Sequence, residues 1–324
     1  MLSLEQIQEI IQQKVKILNF SGQPVELYEP IHYTLNLGGK RLRPALCLLA
    51  CDMFDGDMDD ALGPAIGIEI FHNFTLLHDD IMDQAPIRRG KTTVYKKWNQ
   101  NIAILSGDTM MALAYGYIME APEKVRTDIF FAFNKTAIEV CEGQQYDMNF
   151  ETQARVTIPD YIEMIRLKTA VLLAGSLKIG ALIGGASTDD AEKLYKFGEN
   201  LGIAFQLKDD LLDAFGEEDK FGKMKGGDII SNKKTYLYLK AFELATGKSR
   251  DEIRYFFSPE MINQNEKIEG VLRIYEKLNI RQFTENEILA YYRNALNYLD
   301  SIDVQKSRKI ELISIADQLN SRKF

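Results

Sequence analysis

Apolar residues recur along this chain every three to four positions from one end to the other. Leu4, Ile7, Ile11, Val15 and Leu18 form one stripe, the spacing of a helix that buries a single face. Three later runs are apolar around most of the helix: "AIGIEIFHNF" (65–74), "AVLLAGSLKIGALIGGA" (170–186) and "LYKFGENLGIAF" (194–205). These predict helices buried on several sides. No alternating run bounded by hairpin turns suggests a strand. Of eight prolines, Pro44, Pro86, Pro122, Pro159 and Pro259 stand where helices should start or stop. No linker or low-complexity segment interrupts the pattern. The expected fold is all-α, with residues 1–324 forming a single domain.

Composition narrows the function. With 324 residues, 46% of them hydrophobic, the chain can bury a large core. A net charge of −8 argues against general nucleic-acid binding. Cys47, Cys51 and Cys141 are expected to be free thiols in a reducing compartment. The first twenty residues are too rich in Glu, Gln and Lys for a signal peptide. The run 170–186 is short and carries Lys178, so it is expected to be a buried helix with no membrane-spanning role. A soluble, cytoplasmic protein is expected. The acidic loop "CDMFDGDMDD" (51–60) lacks the glycine and the bidentate Glu of a calcium loop. The segment 216–235 is rich in glycine and lysine, which suits a loop closing on an anion. Taken by itself it reads as an ordinary surface loop.

Two apolar helices end in carboxylates. "DDIMD" supplies Asp79, Asp80 and Asp83, and "FQLKDDLLD" supplies Asp209, Asp210 and Asp213. Residues four apart share a helix face, so Asp79 pairs with Asp83 and Asp209 with Asp213. One such motif is common on surfaces; two, each closing an apolar helix, are not. If these helices pack side by side, the two sets face each other. Hard divalent cations, chiefly Mg²⁺, suit carboxylate oxygens together with substrate phosphates. With only His32, His72 and His78 in the chain, a zinc site is not expected. Neither a Ser-His-Asp set nor a GxxxxGK[ST] loop is evident.

Basic residues accompany the acids. "GGKRLRP" (38–44) places Lys40, Arg41 and Arg43 beside two glycines before a helix, a plausible diphosphate site. "RRG" (88–90) gives Arg88 and Arg89 one short loop after the first aspartates. Lys168 and Thr169 interrupt an apolar helix, and Lys223 and Lys233 follow the second aspartates. Arg41 and Lys208 are read as ordinary structural charges.

In this order, "GGKRLRP", "LLHDDIMD…RRG", "GDTMMA", "GQQYD", "KTA", "FQLKDDLLD" and "GK…GGDI…NKKT" resemble the trans-polyprenyl diphosphate synthases over about residues 30–240. The resemblance implies a helical bundle around a deep central cavity, usually a homodimer. It implies head-to-tail condensation of isopentenyl diphosphate with an allylic diphosphate. The steps are ionisation, condensation and proton loss, the departing diphosphate taking the proton. Several Mg²⁺ ions would be held by Asp79, Asp80, Asp83, Asp209, Asp210 and Asp213, with Asp80 and Asp210 as ligands or in support. Arg88, Lys168, Lys223 and Lys233 would grip the allylic diphosphate. Lys40, Arg43, His72 and Arg89 would hold isopentenyl diphosphate. Thr169 and Gln206 would lie beside the reacting carbons; His78 is read as structural. Phe74 and Thr75, five and four positions before Asp79, would limit the product to fifteen or twenty carbons. Two alternatives share parts of this pattern, a class I terpene cyclase and a non-catalytic subunit of a heteromeric prenyltransferase. The second DDxxD, "DDLLD", and the isopentenyl-site residues argue against the first; the completeness of both clusters argues against the second. Many relatives carry a proline soon after the Thr of the last motif; this chain has "KKTYLYL".

Overall fold

A computed structural model of the chain describes residues 2–18, 20, 22–216, 226–258 and 260–321. Lys223 and Pro259 lie outside the described residues. The elements are α1 (Leu4–Ile17), α2 (Val25–Asn36), α3 (Leu42–Met53), α4 (Met58–Met82), strands β1 (Ile87–Arg88) and β2 (Lys91–Thr92), α5 (Val94–Lys97), α6 (Gln100–Ile118), α7 (Glu123–Thr152), α8 (Ile158–Ile165), a π-helical turn (Arg166–Ala170), α9 (Val171–Ile183), α10 (Thr188–Phe215), α11 (Gly227–Ile230), α12 (Tyr236–Leu244), α13 (Gly247–Phe256), α14 (Gln264–Lys277), α15 (Ile280–Asp300), a 3₁₀ turn (Lys306–Lys309) and α16 (Ile310–Asn320). The fold is all-α, as the periodicity predicts. Among the described residues no helix is long and apolar enough to cross a membrane.

Local signals explain the helix ends. Ser3 accepts from the Gln6 amide and Gln6 reaches back to the Ser3 amide, a reciprocal cap that satisfies two orphan donors. The predicted stripe is buried at Ile7, Ile11 and Val15. Pro44 and Pro159 fall in the first turns of α3 and α8, where a missing N–H leaves no helical bond unmade.

The described residues form two compact units. One comprises residues 1–135, 175–195 and 303–311; the other comprises 136–174, 196–302 and 312–324. In the first unit α4 packs along α6 and against α3. Ile66, Ile68, Ile70 and Phe71 of α4 are fully buried, each contributing about 1.5–3 kcal/mol. A Cβ at Gly67 would meet the Ala114 carbonyl at 2.8 Å, so glycine lets α4 and α6 approach closely. Glu69, the one charge in this run, is buried against the Arg41 guanidinium and the Asn73 amide. Arg41, which caps α3 at φ 46°, also donates to the Leu35 carbonyl and to Gln12. It is a structural charge, as the sequence suggested.

One short element departs from the all-helical expectation. Residues 87–92 form a two-stranded ladder pairing Ile87 with Thr92 and Arg88 with Lys91. Arg89 (φ 51°) and Gly90 (φ 73°) make its turn, the two left-handed positions of a tight hairpin. Two residues per strand are too few to show alternation. The hairpin is fastened by Thr93, which donates to the Ala85 carbonyl at 2.8 Å, and by the Tyr33 hydroxyl, which donates to the Thr92 carbonyl at 2.7 Å.

The second unit is built on a core that includes Tyr161, Leu207, Leu211, Ile253, Val271 and Tyr275. Between α8 and α9 the helix loosens into the π turn, which carries Lys168 and Thr169. Such turns mark functional sites often enough to note. Arg166, at its start, holds Glu163 at 2.8 Å and Glu199 at 3.1 Å. Gly143 of α7 lies against it: a Cβ there would stand 2.2 Å from the Lys168 amide nitrogen. Gly143→Ala should therefore displace the turn and lower stability by about 1–3 kcal/mol. Urea unfolding would check this, and an unchanged midpoint would contradict the packing.

Candidate active site

In the first unit α4 ends with Asp79 and Asp80 in its last turns and Asp83 at its C-cap. Carboxylates at a helix C-terminus oppose the helix dipole, so neighbouring cations or a bound cation must offset them. The middle aspartate is treated differently from its neighbours. Asp80 is buried, and its Oδ1 accepts from Arg88 Nε at 2.7 Å. Its pKa is raised: burial outweighs the opposing pull of Arg88. Asp79 and Asp83 flank it on the more accessible side of the turn, Asp83 exposed.

The hairpin delivers its arginines in two directions. Arg88 goes to Asp80. The Arg89 guanidinium donates to the Gly38 carbonyl and lies over Gly39, where a Cβ would stand 2.9 Å away. The two glycines (φ 83° and 136°) give the loop a shape that residues with side chains rarely adopt. Arg43 and His72 lie beside this group, with Arg43 Nη1 3.3 Å from His72 Nε2. Burial, and then the charges of Arg43, Arg89, Arg88 and Arg41, push the His72 pKa well below its usual value. Burial likewise lowers Arg43 to about 10, partly opposed by Glu69. Arg43 Nε is buried and has no hydrogen-bond partner. A buried guanidinium N–H without an acceptor is uncommon in folded proteins. Lys40 is exposed, its carbonyl accepting from Gln8. Thr75 turns its hydroxyl to the His72 carbonyl at 2.8 Å. Phe74 is buried, its ring 5.5 Å from that of Phe71 and 4.7 Å from that of His78. His78 contacts the Ile104 carbonyl at 3.3 Å, which fits a structural role.

In the second unit α10 ends the same way. Asp210 is buried, accepting from the Tyr161 hydroxyl and from Gln206 Nε2 at 3.1 Å. Its pKa is raised, first by burial and then by Asp228, against the lowering effect of those two hydrogen bonds. Asp209 and Asp213 are half-buried on either side. Asp213 Oδ2 accepts from the Asp228 amide at 3.0 Å. A cavity of about 300 Å³ opens here, lined by Lys168, Thr169, Gln206, Asp210, Asp228 and Lys233 among others. Lys168 Nζ bonds Asp147 at 2.6 Å, Thr169 Oγ1 donates to Gln206 Oε1 at 3.3 Å, and Lys233 Nζ lies 3.8 Å from Asp228.

The structure thus gathers the predicted residues into two sets, Arg43, His72, Asp80, Arg88 and Arg89 in one unit and Lys168, Thr169, Gln206, Asp210 and Lys233 in the other. Lys223 lies outside the described residues. Four members of these sites were not singled out from sequence: Gly143, Asp147, Tyr161 and Asp228. Gly143 and Asp147 open and close "GQQYD", four apart on α7, and Asp228 lies in "GGDI", so their motifs held a signal. Tyr161 had none. Among the described residues no three His, Cys, Asp or Glu side chains converge on one point. Asp79, Asp83, Asp209 and Asp213 offer carboxylate oxygens, the donor type that Mg²⁺ takes.

Residues 24–276 match the polyprenyl synthetase family. The chain is 38% identical over 304 residues to a geranylgeranyl diphosphate synthase of Methanosarcina mazei, covering 93% of this chain and 91% of that one. It is 32% identical to a geranylfarnesyl diphosphate synthase of Natronomonas pharaonis, over the whole of both chains. A crystal structure of a geranylgeranyl pyrophosphate synthase superposes with a TM-score of 0.94 at 42% identity, again over the whole of both. With the aspartates near the ends of α4 and α10 and the arginine hairpin, these place the chain plainly: it belongs to the polyprenyl synthetase family. It is a short-chain trans-prenyltransferase.

His72 gives a pH test. Its folded pKa is depressed, so the unfolded chain takes up the proton first, near its ordinary pKa of about 6.5. The stability that goes with neutral His72 is present above that pH and is lost as pH falls below it. His72→Gln should lose less stability than the parent between pH 7 and 5 in urea titrations. Equal losses would show that the imidazole is not held neutral.

Proposed function

We propose that this enzyme condenses isopentenyl diphosphate with an allylic diphosphate and releases geranylgeranyl diphosphate. The observation that carries the reading is the same arrangement at the ends of α4 and α10. In each, a buried middle aspartate is committed to a protein donor and leaves a flanking pair, Asp79 with Asp83 or Asp209 with Asp213. Those pairs would hold Mg²⁺, with Asp80 and Asp210 in support. The bound ions supply Lewis-acid stabilisation of charge on the leaving diphosphate.

The protein's own groups complete the chemistry. Lys168 and Lys233 provide cationic donors at the second-unit cavity for the allylic diphosphate; for Arg88 and Lys223 the same role rests on the sequence resemblance. Arg43, Arg89, His72 and Lys40 take isopentenyl diphosphate; the unpartnered Arg43 Nε supports this. Neutral His72 can donate or accept there without adding charge. Thr169 and Gln206, bonded to each other, present oxygens that can stabilise positive charge on carbon. The departing diphosphate itself would take the proton.

Phe74 supports a product of limited length. It stands five positions before Asp79, roughly 7–8 Å along the helix, and Thr75 fixes the turn beside it. The names of the relatives favour twenty carbons over fifteen. We read residues 1–324 as one polyprenyl synthase domain. We also read the enzyme as a cytoplasmic homodimer; exposed Leu105 and Phe131 support a second copy as partner.

The test is a Mg²⁺-dependent assay of isopentenyl diphosphate with dimethylallyl, geranyl and farnesyl primers. Turnover to a twenty-carbon product is expected, and Asp79→Asn or Asp213→Asn should lower kcat about 10²- to 10³-fold. A volatile hydrocarbon from farnesyl diphosphate alone would point to a cyclase instead. Phe74→Ala should shift the product to longer chains by chromatography; an unchanged length would remove Phe74 as the limit.

A further inference from the structure

We infer that Lys234 and Lys267 are positioning residues that clamp residues 228–235 and so set where Lys233 meets a diphosphate. The inference rests on the proposed role of Lys233, which neither lysine shares. The segment has little structure of its own. α11 is a single helical turn, and one isolated turn does not hold itself in water. Asn232 follows at φ 57°, and residues 233–235 are irregular. On the side toward α10 the segment is tied by backbone groups, the Gly226 amide to the Asp213 carbonyl at 2.8 Å and the Asp228 amide to Asp213 Oδ2 at 3.0 Å.

The two lysines secure the remaining sides. Lys234 Nζ donates to the carbonyls of Phe150, Glu151 (3.3 Å) and Gln153 (2.8 Å), at the C-terminal end of α7. The last carbonyls of a helix have no partner within it. An ammonium has three donors, and its charge is favoured at that end of the dipole. Lys234 therefore caps α7 from a segment more than 80 residues away in sequence. α7 also carries Asp147, the partner of Lys168, so the cap fixes Lys233 relative to Lys168. Lys267 of α14 is 4% exposed. Its Nζ donates to the Ile230 carbonyl at 3.2 Å and to Asn232 Oδ1 at 2.6 Å, and lies 5.2 Å over the Phe257 ring. Burial disfavours both ammonium groups. A hydrocarbon would fill the Lys267 position with less penalty, and could not hold a carbonyl and an Asn together. Between these anchors the Lys233 amide closes on the Asp228 carbonyl at 2.9 Å, leaving the Lys233 side chain half exposed at the cavity.

The experiment compares Lys234→Met, Lys267→Met and Lys234→Arg with the parent, each checked for folding by urea titration. Both Met variants should raise KM for the allylic diphosphate about 10- to 100-fold. KM for isopentenyl diphosphate should stay within about twofold, and Lys234→Arg should recover most of the loss. In the ligand-free protein, amides of residues 227–235 should exchange faster in the Met variants, with α4 amides unchanged. Equal rises in both KM values, or unaltered exchange in 227–235, would overturn the clamp. If Lys267→Met does not fold, Lys234→Met, at a partly exposed site, decides alone. A parent without prenyl transfer would remove the proposed function, and exchange in 227–235 would still decide whether the lysines clamp the segment.

Discussion

Like charges must be gathered for this chemistry, and they repel one another before any ligand is present. Three carboxylates end α4 and three end α10, each at the negative end of a helix dipole. The fold meets the constraint in the same way twice. It buries the middle carboxylate and gives it a donor, Arg88 for Asp80 and Tyr161 with Gln206 for Asp210. What remains is a pair four residues apart, which a divalent cation and a phosphate can neutralise together.

The cationic side obeys the same rule. Arg41 is paired with Glu69, and Arg89 is oriented by the Gly38 carbonyl. Arg43 keeps an unanswered donor, and His72 is held neutral first by burial and then by the charges of four arginines. The first unit therefore carries its positive charge on rigid supports: a tight hairpin, a glycine loop and the first turn of α3. Preorganised donors of this kind need little rearrangement when an anion binds.

In the second unit the support is less regular. Lys168 and Thr169 lie on a π turn seated against Gly143, and Lys233 lies in a segment with one helical turn of its own. Their geometry comes from side chains elsewhere: Asp147 and Arg166 at the turn, Lys234 and Lys267 around the segment. Functional groups on weak local structure need such outside support to hold a productive position.

Much of this was legible from the order of residues. Helical periodicity marked α1, α4 and α10, because a buried face repeats every three to four positions. The aspartate pairs followed from the same repeat, since residues four apart must share a face. The resemblance of seven short motifs to one family added the expected chemistry, and the comparisons bore out the family. The hairpin at 87–92 escaped, because two residues per strand cannot show a period. The pairing of Asp80 with Arg88, of Tyr161 with Asp210 across 49 residues, and of Lys234 with the end of α7 across more than 80 escaped as well. A sequence fixes which groups are four residues apart, since that distance belongs to the helix. Which distant donor reaches a buried carboxylate depends on how whole helices pack, and only the tertiary structure decided that.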